Sequence, residues 1–198
     1  MLLTGCQGDG DPTANQPSDE VPSSSAPTVE PASTPTASAT PEPSPASSAG
    51  PAANIPVPVK PALADQNSAE GLEAFTRYWF ELFSYGYETN DWVPYEAVTD
   101  PGCRTCAQTK QVVGDFYADG GWMGGGEFRI IDFGTDFRLN TSGSIQSFVN
   151  YQQADLIYYQ KDGTNTLGEA PDASVNVLFS LYRDDAWVVL DFGKPEGT

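Results

Sequence analysis

The sequence predicts an α+β fold in which about three helices pack on a curved, mostly antiparallel sheet of about four to six strands. Helical spacing of apolar residues dominates residues 67–121, and runs rich in β-branched and aromatic residues follow as far as residue 193. The domain also stands apart from the segment before it, because all four Trp, nine Tyr and ten Phe residues follow Leu63.

The N-terminal segment has the composition of a disordered chain. Most residues from Val21 to Gly50 are Pro, Ala, Ser or Thr, and none is aromatic. Such a segment cannot bury enough apolar surface to offset the entropy lost on ordering. The predicted organisation is therefore a signal-peptide remnant with its lipobox at residues 1–5, a disordered stalk at residues 6–65, and one globular domain at residues 66–194.

The first predicted element of the domain is a long helix over residues 67–91. Asn67 or Ser68 can cap its start. Residues at spacings of three and four form one continuous face, namely Leu72, Phe75, Trp79, Leu82 and Gly86. Further aromatic residues widen this face, so we expect other elements to cover the helix.

Shorter helices and then strands follow. Residues 91–100 predict a short helix or turn around Pro94, and residues 103–121 predict a helix that ends at Gly120 and Gly121. Four runs with strand character come next, separated by turn signals: residues 126–139, 144–160, 173–184 and 186–193. We interpret the glycine-rich run before them, and residues 161–166 between them, as hairpin turns.

Alternation within the strands predicts which side chains face the core. In the third strand one face is entirely apolar and is predicted to be buried: Val175, Val177, Phe179 and Leu181. In the second strand the phase of the alternation changes after Tyr151. A bulge near Gln152 and Gln153 would explain that change and would curve the sheet.

Two resemblances follow from these motifs. The aromatic first helix, the two shorter helices and the strands ending in "AWVVLDFG" resemble a nuclear transport factor 2-like cone, in which a sheet wraps a long helix and leaves a pocket. The motifs "YWFELFSYGYETND", "DPGCRTC" and "YADGGWMGGGEFRI" are similar to those of uncharacterised actinobacterial lipoproteins of a domain-of-unknown-function family. The second resemblance implies a cell-surface location and no particular activity.

Cys6 is a candidate site of lipid attachment. The residues "LTGC" fit a lipobox, in which signal peptidase cuts before the cysteine and its sulfur carries a diacylglyceryl group. A complete signal also needs a basic segment and an apolar stretch of about 7–15 residues. We therefore expect the reading frame to begin upstream of Met1. The alternative is an unmodified cysteine near a cytosolic N-terminus.

Cys103 and Cys106 form a CxxC pair in the folded part. A thioredoxin-type pair follows a strand in a βαβ unit, whereas this pair lies in a turn between helical segments. Outside the cytosol such a pair should be oxidised. The sequence favours a structural disulfide over a redox site, and a zinc site would need further Cys or His ligands.

Charge and composition exclude several classes of function. The formal net charge is -18, so no basic surface is expected to bind nucleic acid. The chain has no histidine, which excludes His-dependent nucleophiles, general bases and zinc ligands. The glycine-rich run lacks the Lys-Ser/Thr of a phosphate-binding loop. We predict no metal and no cofactor.

Three functions remain open for an anchored domain of an actinobacterial cell envelope. The first is binding of a small apolar ligand or an envelope protein, with a pocket lined by Phe75, Trp79, Tyr151 and Asp155. The second is a His-free isomerase or dehydratase, with Asp132 or Asp155 as base and Tyr78 or Tyr151 as proton donor. The third is a purely structural cell-wall module. The first is preferred, because the sequence contains no catalytic motif.

Overall fold

The computed structural model describes residues 41–195. Within this part of the chain a short 3-10 helix, Ala62–Asp65, precedes three α-helices: α1 (Ala69–Thr89), α2 (Val93–Glu96) and α3 (Arg104–Ala118). Seven strands follow: β1 (Trp122–Gly125), β2 (Phe128–Leu139), β3 (Ile145–Gln153), β4 (Leu156–Tyr159), β5 (Asn165–Gly168), β6 (Ser174–Arg183) and β7 (Ala186–Gly193). The predicted α+β class and the predicted order of helices before strands are confirmed.

The long first helix begins and ends as its sequence predicts. The Ser68 side chain accepts a hydrogen bond from the Gly71 backbone N–H at 3.0 Å, which satisfies one of the free donors of the first turn. Asn90 ends the helix in the left-handed conformation, with a φ of 57°. Among the described residues no helix has both the length and the apolar character needed to cross a membrane.

The strands form two antiparallel sheets, whereas the sequence predicts one. β2, β3, β6 and β7 lie in that order in a four-stranded sheet, and β1, β4 and β5 form a three-stranded sheet. β1 lies in the glycine-rich run, and β5 begins within residues 161–166; we interpreted both segments as hairpin turns. Their short, glycine-containing sequences carry little strand signal of their own, so pairing with β4 decides their conformation.

The two sheets meet at a corner that explains the change of phase after Tyr151. The chain leaves one sheet for the other at Gly125–Gly126 and again at Ala154–Asp155, where the Gly126 N–H donates to the Asp155 carbonyl at 2.9 Å. A Cβ at Gly125 would lie 2.5 Å from that same carbonyl oxygen, so only glycine fits the crossing. The predicted bulge near Gln152 is therefore wrong, since the structure has a break between β3 and β4.

The buried face of β6 is mainly the opposite of the predicted one, because Val177 is the one residue of the predicted face that is buried. Leu178 and Ser180 are fully buried on the face towards α1, whereas Val175 on the other face is 48% exposed. The facing strand β3 also presents a small polar side chain to the core, Ser147, opposite Leu178. These small residues leave room for the large aromatic side chains of α1. The apolar bulk of the core thus comes from the helix, and strand alternation alone misassigns the face.

The ordered domain begins earlier than predicted. Residues 41–65 are not a disordered stalk: Ser44 and Ala53 pair through backbone hydrogen bonds of 2.8 Å, and Ala64 is 1% exposed in the core. The aromatic side chains that hold this segment lie far away in sequence, since Trp122 Nε1 donates to the Ser47 carbonyl and Tyr182 Oη donates to the Asp65 carbonyl, both at 2.8 Å. Residues 1–40, including the lipobox, lie outside the described residues.

Gly86 and Gly114 are matched positions for a test of packing around α1. Both are interior helical glycines, but a Cβ at Gly86 would lie 2.6 Å from the Trp92 ring, while a Cβ at Gly114 would meet nothing closer than 3.9 Å. Alanine in an open helix position stabilises by about 0.5–1 kcal/mol, and overpacking costs about 1–3 kcal/mol. We expect Gly86→Ala to lower the free energy of unfolding by up to about 2 kcal/mol and Gly114→Ala to raise it, measured by urea denaturation. Equal effects of the two variants would contradict this packing.

Candidate functional site

The predicted pocket residues do not line a common cavity. Phe75 and Trp79 are fully buried core side chains on α1, and four aromatic rings surround Trp79, with centroids 5.0–5.4 Å away: Phe80, Phe83, Tyr95 and Phe192. Tyr151 is half-buried against Phe80 and Phe128. Asp155 is exposed at the corner between the sheets and accepts a hydrogen bond from the Ala170 N–H at 2.8 Å. The interior beside α1 is filled with rings.

The candidate acid–base residues are also separated. Asp132 pairs with Asn150 on the outer face of the sheet, whereas Tyr151 lies on the inner face opposite Ile130. Burial raises the pKa of the Tyr151 phenol, and its hydrogen bonds to Ser174 and Asn176 partly oppose that rise. Burial also raises the pKa of the half-buried Tyr78. No hydrogen bond among the described residues joins either candidate acid to either candidate tyrosine.

An open cleft of about 640 Å³ lies elsewhere, between α2 and α3. One wall comes from α2 and the segment after it, with Tyr95, Glu96, Thr99, Asp100 and Pro101. The other wall is one face of α3, with residues at helical spacing: Cys103, Cys106, Ala107, Lys110, Gln111, Gly114 and Asp115. Because Ala107 and Gly114 carry little or no side chain on that face, α3 leaves the space beside α2 unfilled.

Backbone pairing to β7 fixes the wall that contains Thr99 and Asp100. The Asp100 N–H donates to the Val189 carbonyl at 2.7 Å, and the Val189 N–H donates to the Val98 carbonyl at 3.0 Å. These bonds form a short parallel bridge between Thr99 and Val189. The segment between α2 and α3 is therefore held on the four-stranded sheet, and the cleft has one rigid side.

A partly buried chain of hydrogen bonds connects this wall to the core. Trp79 Nε1 donates to Thr99 Oγ1 at 2.8 Å, and Thr99 Oγ1 donates to the Tyr95 backbone carbonyl at 2.8 Å. The single proton of the Thr99 hydroxyl is therefore already used in the bond to the Tyr95 carbonyl. The Tyr95 side chain is 2% exposed, and its own hydroxyl has no hydrogen-bond partner among the described residues. Burial raises the pKa of the Tyr95 phenol far above its ordinary value, and the nearby Thr99 hydroxyl offsets only part of that rise.

An ion pair divides the space between the two helices. Lys110 on α3 contacts the Glu96 carboxylate on α2, and both residues line the large cleft and a second cleft of about 340 Å³. The second cleft extends towards Asn90, Asp91 and Trp92. The pair thus forms a partition that both compartments share.

The predicted Cys103–Cys106 disulfide is present at the start of α3, with the two Cα atoms 5.3 Å apart. Cys103 is 1% exposed and Cys106 4% exposed, which limits access of a thiol partner to either sulfur. The Cys103 sulfur also accepts a hydrogen bond from the Cys106 N–H at 3.3 Å and so caps the helix. Among the described residues no group of three or more His, Cys, Asp or Glu side chains could hold a metal ion.

Sequence reasoning identified the disulfide but missed the cleft that it borders. The larger apolar residues of α3 lie in its second half, and the cleft-lining positions Ala107, Gln111 and Gly114 carry no signal of their own. The sequence of α3 also does not show which element packs against it.

Comparisons with known proteins give a family without an activity. The model of a family of unknown function (DUF6318) matches residues 41–192. No curated protein matches the chain. Among solved structures, the intermembrane space region of the chloroplast protein ARC6 is similar with a TM-score of 0.43 and 10% sequence identity, and the similarity covers 64% of this chain and 95% of that one.

The disulfide should make only a modest contribution to stability. Because it closes a very short loop, we expect its reduction to lower the free energy of unfolding by about 2 kcal/mol or less. Urea denaturation with and without a reductant measures the change. The Cys103→Ala/Cys106→Ala double variant is the control and should not respond to the reductant. Loss of the folded state on reduction would contradict this assignment.

Proposed function

The chain belongs to the family of unknown function DUF6318, and because that family carries no assigned activity, we propose a function from the cleft itself: the domain binds a small, largely apolar ligand between α2 and α3. The observation that supports this proposal is the cleft volume of about 640 Å³. Binding sites for small molecules usually measure about 300–1,000 Å³ and combine apolar walls with a few polar groups.

The walls of the cleft are held in place, which favours a binding site over a gap left by imperfect packing. One wall is held on the sheet by the Asp100–Val189 backbone bond, and the disulfide ties the start of α3 to the segment before it. A site with fixed walls loses less entropy when a ligand enters.

The other two hypotheses receive less support. An Asp/Tyr enzyme needs its acid and its proton donor within reach of one substrate, and Asp132 and Tyr151 lie on opposite faces of a sheet. A purely structural module would not require an open cleft. The finer likeness to a nuclear transport factor 2-like cone remains part of the proposal, supported by the long α1, which packs against β1 and β2, one strand from each of the two antiparallel sheets.

We further propose that the domain is displayed at the cell envelope of an actinobacterium, anchored by a lipid on Cys6. The lipobox and the Pro/Ser/Thr/Ala-rich segment after it support this location, since two acyl chains hold a protein stably on a membrane. The ligand would then be a small molecule or an envelope component that the domain meets outside the cytoplasm.

A substitution that fills the cleft tests the binding proposal. We expect the wild-type chain to bind the neutral fluorescent probe N-phenyl-1-naphthylamine saturably, and Ala107→Trp to weaken binding by at least about tenfold, because the indole occupies the space between α2 and α3. Ala118→Trp places the same side chain at an exposed α3 position outside the cleft and should change nothing. Unsaturable binding by the wild type, or equal binding by Ala107→Trp, would contradict the proposal.

The anchor has its own test. When the chain is exported behind a complete lipoprotein signal peptide, we expect the wild type in the membrane fraction with a lipid mass on Cys6. Cys6→Ser should appear in the medium, because no thiol remains to carry the lipid. Its circular dichroism should match that of the wild type, since Cys6 precedes the family domain at residues 41–192. Retention of Cys6→Ser in the membrane would argue against the anchor.

A further inference from the structure

The polar residues of the large cleft carry an excess of negative charge. Glu96, Asp100 and Asp115 are its three acids, and Lys110 is its single base, which leaves two negative charges uncompensated within the lining. Arg104 is exposed in the first turn of α3 and is not one of the lining residues. An entering ligand therefore meets apolar walls and a negative rim.

The one positive charge in the lining is already paired. Lys110 contacts the Glu96 carboxylate across the gap between the helices. An anionic ligand would have to displace this carboxylate and would also lie near Asp100 and Asp115, where like charges repel. Both acids remain at least partly accessible to solvent, so they are free to face a cation.

The positive end of the α3 dipole does not restore an anion site. This end lies at Cys103, where the sulfur accepts the Cys106 N–H. Asp100, three residues earlier in the chain, accepts the Gly102 N–H at 2.8 Å, so the chain already places a carboxylate next to the residue that precedes this end. A second negative charge there would be repelled by it.

We propose that the cleft selects ligands that combine an apolar body with a protonated amine, and rejects fatty acids and other apolar anions of the same size. This specificity rests on the proposed function, because it assigns the chemical class of the ligand bound between α2 and α3. The apolar walls bind the ligand body, while Asp100 and Asp115 attract the ammonium group. The Glu96–Lys110 pair removes the competing cation from the site.

Three probes with one chain length test the charge preference. Decylammonium, decanol and decanoate are each titrated below their micelle concentrations into the whole chain at pH 7, and binding is measured by isothermal calorimetry and by displacement of N-phenyl-1-naphthylamine. We expect decylammonium to bind at least about tenfold more tightly than decanoate, with decanol between them. Added salt should narrow the difference, since the rim is accessible to solvent.

Matched variants separate the cleft from the general acidity of the chain. Asp100→Asn/Asp115→Asn should weaken decylammonium binding several-fold and leave decanol binding unchanged. Glu169→Gln/Asp172→Asn removes the same two charges from exposed positions between β5 and β6, outside the cleft, and should have no comparable effect. Glu96→Gln frees Lys110 and should raise the affinity for decanoate.

The outcomes distinguish this inference from the proposed function. Equal binding of decylammonium and decanoate, blocked by Ala107→Trp, would overturn the charge preference and leave the binding cleft standing. A preference for decylammonium that both double variants reduce equally would assign it to the net charge of the chain and also overturn the inference. Failure of all three probes to bind would overturn the proposed function together with the inference.

Discussion

The hydrogen bond from Trp79 Nε1 to Thr99 Oγ1 is the contact on which the rest of the arrangement depends. It joins the largest fully buried side chain of α1 to the segment between α2 and α3. A buried indole N–H without a partner would cost about 1–3 kcal/mol, so Thr99 is held where it can accept this bond. With Thr99 in place, Asp100 reaches Val189 of β7 and the wall of the cleft is set. The core thereby determines the shape of a site at its edge.

The buried face of α1 is specified by its own sequence, whereas the buried face of a strand depends on its partners, and this difference explains why some elements could be predicted and others could not. The spacing of Leu72, Phe75 and Trp79 specifies a buried helix face within one local segment, and the structure has it. The β6 strand has two faces that could be buried, one with Val175 and one with Leu178. The face with Leu178 is buried because the aromatic side chains of α1 cover that side of the sheet. Local alternation contains no information about that partner.

The ordering of residues 41–65 illustrates the same limit. Their composition predicts disorder because they contain no aromatic side chain to bury. The structure supplies the missing groups from elsewhere: Trp122, Tyr182 and Trp187 each donate a hydrogen bond to a backbone carbonyl, those of Ser47, Asp65 and Gln66. The CxxC disulfide was predictable because both cysteines lie in one turn. The cleft was not, because Glu96 and Lys110 face each other only after α2 and α3 have packed.

Part of the net charge of -18 lies at the cleft, where it would affect which ligands bind. Spread over the surface, such a charge keeps a protein soluble and selects nothing in particular. Around an apolar cleft it acts differently, because the walls provide affinity that is indifferent to charge and the rim decides which charged ligands can use it. Because Lys110, the single cation of the lining, is paired with Glu96, we expect stronger discrimination against anionic ligands than the number of acids alone would give. The proposed selectivity follows from an arrangement of four side chains, which neither composition nor fold class contains.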